Sequence, residues 1–184
     1  MCHIHKISSF LQKKQTILYP TDTIYGIGCD ATNYDAVQKI YKIKQREESK
    51  SLIILVNSFE MLQNYVEDIP QKVKEYLQNT TKPTTVIYNN PKNLSKNVIA
   101  KDGTVAIRIV KTGFVHKLLN EFKKPIVSTS ANISGEPTPK DFKSISKKII
   151  KNVDFVVSLP LQTKNAKPSS IIRLIDDEIV FLRD

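Results

Sequence analysis

The sequence predicts an α/β fold: a single domain over residues 1–184, with a twisted mixed sheet flanked by helices. Three observations carry this. The chain has 184 residues, the size of one domain. Short apolar runs of strand length recur at 52–56 (LIILV), 84–88 (TTVIY) and 104–110 (TVAIRIV). Longer segments with helical spacing of apolar residues alternate with them.

Taken in order, a helix over 4–14 (Ile4, Ile7, Phe10, Leu11) leads into a strand at 16–19. Residues 34–46 read as a helix, with Val37, Ile40, Tyr41 and Lys44 at i, i+3, i+4 and i+7. The continuous apolar run 52–56 is that of a strand buried on both faces. Helices follow at 58–66 and 70–79, the second with Pro70 at its start. After strands at 84–88 and 104–110 come a helix over 113–123 and the run PIVSTSAN (125–132), a strand that turns polar at its end. A helix at 140–151 and strands at 153–158, 170–175 and 178–182 complete the list. The last two form a hairpin through Asp176-Asp177, without the glycine such a turn prefers.

Composition sets the class. Values of 40% hydrophobic and 25% charged residues suit a globular domain with a core. No segment approaches the roughly 18 consecutive apolar residues that span a bilayer. The N-terminus MCHIHKISSF lacks the apolar stretch of a secretory leader, so a cytoplasmic protein without membrane association is expected. Cys2 and Cys29 are too few for a disulfide framework. Cys2, His3 and His5 lack a fourth metal ligand, and no metal site is expected. The formal net charge of +10 raises affinity for polyanions, yet it is mostly lysine, and no zinc finger or RRM signature accompanies it.

The usual signatures of nucleotide and hydrolase chemistry are missing: no G-x-x-x-x-G-K-[ST], no G-x-G-x-x-G, no G-x-S-x-G, no H-E-x-x-H. His116 falls within a helical pattern and reads as structural. Three polar clusters remain at the edges of apolar runs: Pro20-Thr21-Asp22-Thr23, Lys44-Gln45-Arg46 and Ser128-Thr129-Ser130-Ala131-Asn132. Each alone has a plain reading as a turn, a cap or a helix end. Together they suggest more, because ligands of open α/β sheets bind beyond the carboxyl ends of strands. Lys44 and Arg46 offer fixed positive charge for a triphosphate, and the hydroxyls and amide offer neutral donors and acceptors.

The stretch YPTDTIYGIGCDAT (19–32) is either a polar turn or a pocket wall. Both readings stay open on the residues alone; Gly26 and Gly28 allow close backbone approach, and Cys29 reads as a small buried side chain. Asp22 either binds substrate or caps its own segment.

From about residue 9 onward, P-T-D-T-I-Y-G-I-G-C-D-A, K-Q-R and S-T-S-A-N-I-S-G-E-P-T resemble the YrdC-type threonylcarbamoyl-AMP synthases, in their short single-domain form. The resemblance implies a YrdC-like domain with a basic concave pocket. It implies that L-threonine, bicarbonate and ATP, the last with Mg²⁺, give L-threonylcarbamoyl-adenylate and pyrophosphate, with no tightly bound prosthetic group. The product then passes to a downstream threonylcarbamoyl-transferase complex that modifies tRNAs reading ANN codons.

By the same resemblance Lys44, Arg46, Ser130 and Asn132 form the catalytic set. Thr21, Arg108, Ser128 and Ser169 contact threonine. Thr85 and Arg183 join Lys44, Arg46, Ser130 and Asn132 around the nucleotide. Leu55 stands where some longer members carry a histidine, and Ser170 stands beside Ser169 where threonine is more usual. Two other readings stay open: a YrdC-like module that binds tRNA or double-stranded RNA weakly, and a paralogue that keeps the fold without the activity.

Overall fold

A computed structural model describes residues 4–47, 52–160 and 168–184. The elements run α1 (Ile4–Gln12), β1 (Ile17–Pro20), β2 (Tyr25–Asp30), α2 (Tyr34–Lys44), β3 (Ile53–Val56), α3 (Phe59–Gln63), α4 (Gln71–Asn79) and β4 (Thr84–Tyr88). They continue with β5 (Val105–Ile109), α5 (Gly113–Phe122), β6 (Ile126–Ser130), α6 (Lys147–Asn152), β7 (Phe155–Val156), β8 (Ser170–Ile175) and β9 (Glu178–Arg183). The strands form one nine-stranded sheet in the order β7-β1-β2-β6-β3-β5-β4-β8-β9. Parallel pairs (β1 with β7, β3 with β5, β4 with β8) are mixed with antiparallel ones, so the sheet is mixed, as expected.

The two faces of the sheet are treated differently. On one, Ile27, Ile54, Val86, Ile107 and Ile172 pack under Val37 and Ile40 of α2, Val73 and Leu77 of α4, and Ile149 of α6. On the other, Ile17, Tyr19, Leu55 and Ile126 pack under Ile7 and Leu11 of α1 and Leu118 and Leu119 of α5. Helices α1 and α5 cover only part of that second face. The part they leave open carries the polar residues described below.

Cross-strand register decides which residues share that face, because directly paired residues point the same way. Gly26 pairs with Ser130 and Gly28 with Ser128. Ile53 pairs with both Ser128 and Ala106, and Leu55 with Arg108. Arg108 pairs in turn with Thr85, and Thr85 with Ile171. Residues from six strands therefore present one continuous surface.

The structure departs from the expected elements in identifiable ways. Residues 25–30 form a strand, buried along its whole length, that sequence reading did not assign. Two glycines and an aspartate oppose strand propensity, but packing requires the glycine at 28: a Cβ there would sit 2.5 Å from the Val127 carbonyl and 2.8 Å from the Tyr19 ring. The helix expected over 140–151 begins only at Lys147. Before it, the Asp141 carboxylate accepts from the Ser144 amide at 2.8 Å and Ser146 caps Lys148, so local side-chain bonds displace the helical ones. The hairpin at Asp176-Asp177 forms without glycine, both residues taking positive φ (48° and 65°) as a primed turn demands.

Candidate active site

A cavity of about 360 Å³ opens on the exposed part of the second face, beside the carboxyl ends of β1 and β6. That volume lies in the range of small-ligand pockets. Its wall gathers parts of all three polar clusters: Thr21 and Thr23 from the first, Arg46 from the second, and Ser128, Thr129 and Ser130 from the third. Arg108, Ser169 and Arg183 complete the polar lining, and Ile53, Leu55, Ile87, Ala106 and Ile171 give an apolar floor. No aspartate or glutamate is among these lining residues.

The β1–β2 connection is both a turn and a wall. The Thr21 hydroxyl accepts from the amides of Thr23 (3.0 Å) and Ile24 (3.1 Å) and donates to the Ile24 carbonyl at 2.7 Å. A side chain so engaged fixes the loop through its own bonds. Gly26 lies directly behind it: a Cβ there would meet the Ser128 hydroxyl at 3.2 Å and the Thr21 methyl at 3.4 Å.

Helix α2 ends by design. Asn33 caps its start, accepting from the Ala36 amide at 3.0 Å. At its end Gln45 adopts φ 50°, with Gln45 N bonded to the Lys42 carbonyl and Arg46 N to the Tyr41 carbonyl. These paired bonds reverse the chain in a Schellman arrangement. They carry the half-buried Arg46 to the cavity wall, where burial draws its guanidinium below the ordinary arginine value.

Lys44 does not line the cavity. It is 1% exposed, and its ammonium donates to the carbonyls of Ser130 (2.5 Å) and Asn132 (2.7 Å), with Asn132 Oδ1 at 3.5 Å. Burial, and then the charge of Arg46, pulls its pKa down to about 7. The three oxygens act in the opposite direction by holding the proton. Asn132 is also turned inward, its amide donating to the carbonyls of Ile133 (3.1 Å) and Glu136 (2.6 Å). Lys44 and Asn132 thus shape the loop after β6, and Ser130 is the member of that group presented to the cavity.

Arg108 rises from β5 in the middle of the sheet and is 4% exposed. Its Nη2 donates to Asp22 Oδ1 at 2.9 Å, while Nε and Nη1 are buried without a hydrogen-bond partner. Buried guanidinium donors are rarely left unmatched, so the group is poised for an anion. At the β8 end, the Ser169 hydroxyl bonds Thr85 Oγ1 at 2.8 Å, and Arg183 donates to the Ser169 carbonyl through Nε (3.0 Å) and an η nitrogen (2.6 Å). Thr85 is fully buried and supports Ser169 from beneath rather than lining the cavity.

Of the residues singled out from sequence, Thr21, Arg46, Arg108, Ser128, Ser130, Ser169 and Arg183 line one cavity, and Lys44, Asn132 and Thr85 stand behind it. Asp22 pairs with Arg108. Cys29 is buried, and burial pushes its thiol well above the ordinary value, so it is no nucleophile. Cys2 and His3 lie outside the described residues. Thr23 and Thr129 stood in the polar clusters without an assigned role, and Thr138 was missed, as was the apolar floor. One signal was available: the chain has only four arginines, and three of them (Arg46, Arg108, Arg183) line this cavity. A lysine-rich chain that uses arginine so selectively marks where fork geometry matters.

Comparison with known proteins gives the same direction. The Sua5/YciO/YrdC family model, described as telomere recombination, matches residues 9–184. A threonylcarbamoyl-AMP synthase of Pseudoalteromonas translucida is 35% identical over 164 residues, covering 88% of this chain and 87% of its own. A putative threonylcarbamoyl-AMP synthase of Methanocaldococcus jannaschii is 34% identical over 186 residues, covering 97% of this chain and 86% of its own. The crystal structure of P. abyssi Sua5 complexed with L-threonine superposes with a TM-score of 0.89 at 26% identity, over 98% of this chain. The chain spans about half of that longer protein, 53% of its length.

Proposed function

The chain belongs to the Sua5/YciO/YrdC family, and from that premise we propose that it is a threonylcarbamoyl-AMP synthase. L-threonine, bicarbonate and ATP give L-threonylcarbamoyl-adenylate, pyrophosphate and water. The observation that carries this reading is the cavity wall: among the described residues it holds three guanidinium groups and a row of hydroxyls, and no carboxylate.

Two acids must meet in this reaction, an amino acid that becomes N-carboxylated and a nucleoside triphosphate. The arrangement supports a division of labour. Arg108, with its unmatched donors, takes the α-carboxylate of threonine, and Ser128, Ser169 and the Thr21 loop surround the rest of it. Arg46, Ser130 and Arg183 take the phosphates. ATP enters as its Mg²⁺ complex, the ion arriving with the substrate. Adenylate formation then needs an oxygen of the carbamate held in line with the α-phosphorus while the negative charge of departing pyrophosphate is met by fixed cations. No protein nucleophile takes part, in keeping with the buried Cys29. The wall also limits water around the labile carbamate.

The product has the chemistry to supply a downstream transferase complex acting on tRNA, and the protein works in the cytoplasm. Among the described residues no helix is long and apolar enough to cross a membrane. The net charge of +10 favours weak contact with tRNA, secondary to the chemistry. The test is pyrophosphate release by the pure protein given ATP and bicarbonate with and without L-threonine. Release that depends on threonine supports the synthase; release without it, or none, removes the reading.

A further inference from the structure

The β1–β2 loop makes a long reach. In the sheet, β2 is separated from β5 by β6 and β3, three inter-strand spacings of about 5 Å each, and the Asp22 loop and the Arg108 side chain together bridge that gap. The crossing is rigid because the Thr21 hydroxyl locks the turn on both sides of Asp22. The Asp22 side chain is 30% exposed, whereas Arg108, which lines the cavity, is almost fully enclosed. Asp22 is therefore not buried packing. It is a carboxylate held on one arm of a cavity-lining guanidinium whose other two nitrogens have no hydrogen-bond partner.

We propose that Asp22 is a positioning and specificity residue: it fixes the plane of Arg108 and reserves that group for the carboxylate of the amino acid, excluding the triphosphate. This rests on the synthase reading. Two consequences follow from placing one negative charge at this point. A guanidinium anchored through Nη2 keeps its remaining donors in a fixed plane, so substrate binding costs less ordering. The three cationic groups of the cavity also become unequal. Arg46 and Arg183 line the cavity, while the Asp22 charge beside Arg108 repels a polyphosphate from that end and leaves room for a single carboxylate. The cavity thereby tells one anion from another although its charged lining residues, among those described, are all cations.

The experiment follows adenylate formed from labelled threonine, with tripolyphosphate as inhibitor, in the wild type, Asp22→Asn and Asp22→Glu. For Asp22→Asn the KM for threonine rises about tenfold or more, the size expected when a charge-assisted contact is lost, while kcat and the KM for ATP change by less than about threefold. Tripolyphosphate competes only with ATP in the wild type and competes with threonine as well in Asp22→Asn. Asp22→Glu restores the threonine KM to within about threefold of wild type, because the charge returns. Unchanged threonine KM in Asp22→Asn, or equal loss toward both substrates with a lower melting temperature, overturns the proposal. Calorimetry with tripolyphosphate needs no turnover. Asp22→Asn binding it about tenfold more tightly supports the proposal even if the wild type makes no adenylate, and equal affinity overturns it.

Discussion

The ammonium of Lys44 donates to the carbonyl of Ser130, joining the end of α2 to the end of β6 across 86 residues of sequence. This bond, with those to Asn132, brings two sequence clusters into one structural unit. It also gives the two cations of the K-Q-R segment different tasks. Lys44 holds the loop and Arg46 faces the cavity.

Replacement of these two residues therefore has different effects. Arg46→Ala removes a cation from the wall of a folded protein: turnover falls about a hundredfold or more and the melting temperature moves by less than about 2 °C. Lys44→Ala leaves buried carbonyls unmatched, so activity falls and stability drops by about 1–3 kcal/mol. Steady-state kinetics and thermal unfolding on both variants separate these outcomes; equal stability loss in both would contradict the assignment.

A pH dependence follows from Lys44. Its pKa in the folded chain is lowered to about 7, against an ordinary value of 10.5. Between these values the unfolded chain holds more protons, so the contribution of this group to stability rises as pH increases through that window. Below about pH 7 the charged form is present in both states and its burial penalty stands in full. Lys44→Met removes the titration, and its stability difference from wild type varies with pH over the same window. A difference that is flat between pH 7 and 10 would show that the carbonyl oxygens keep the ammonium charged throughout.

The two glycines of β2 also separate. Gly28→Ala forces a Cβ to within 2.5 Å of the Val127 carbonyl and should destabilise the fold by about 3 kcal/mol or more. Gly26→Ala meets its nearest neighbour at 3.2 Å, on the cavity side. That protein folds with near-normal stability but binds substrate more weakly. Denaturant unfolding and threonine binding, measured on both, check the contrast.

Cys29→Ala should keep activity within about threefold of wild type, losing about 1 kcal/mol of stability from a small buried void. Loss of all turnover in a folded Cys29→Ala protein would restore the thiol to the chemistry.

Much of this arrangement is legible in the chain and part of it is not. The clusters at 20–23, 44–46 and 128–132 stand out because each is polar where an apolar run ends, and strand ends are where α/β sheets bind ligands. Strand β2 is not legible: Gly26, Gly28 and Asp30 contradict its propensity, and the reason for Gly28 is the Tyr19 ring and the Val127 carbonyl, which lie in other strands. Nor can spacing reveal that Asp22 meets Arg108 or that Lys44 turns away from the cavity, since each contact spans 86 residues and depends on strand order. The apolar floor at Ile53, Leu55, Ile87 and Ile171 is indistinguishable in sequence from core, because strand faces alternate alike whether covered by a helix or by a ligand.

In the proposed reaction this cavity joins a carboxylated threonine to AMP. The most direct measurement is mass spectrometry of the adenylate formed from ¹³C-bicarbonate, ATP and L-threonine by the wild type and by Arg46→Ala. The expected result is one ¹³C per molecule of threonylcarbamoyl-adenylate in the wild type, no such product without threonine, and at least a hundredfold less from Arg46→Ala. An adenylate lacking the label, or equal product from Arg46→Ala, would contradict it.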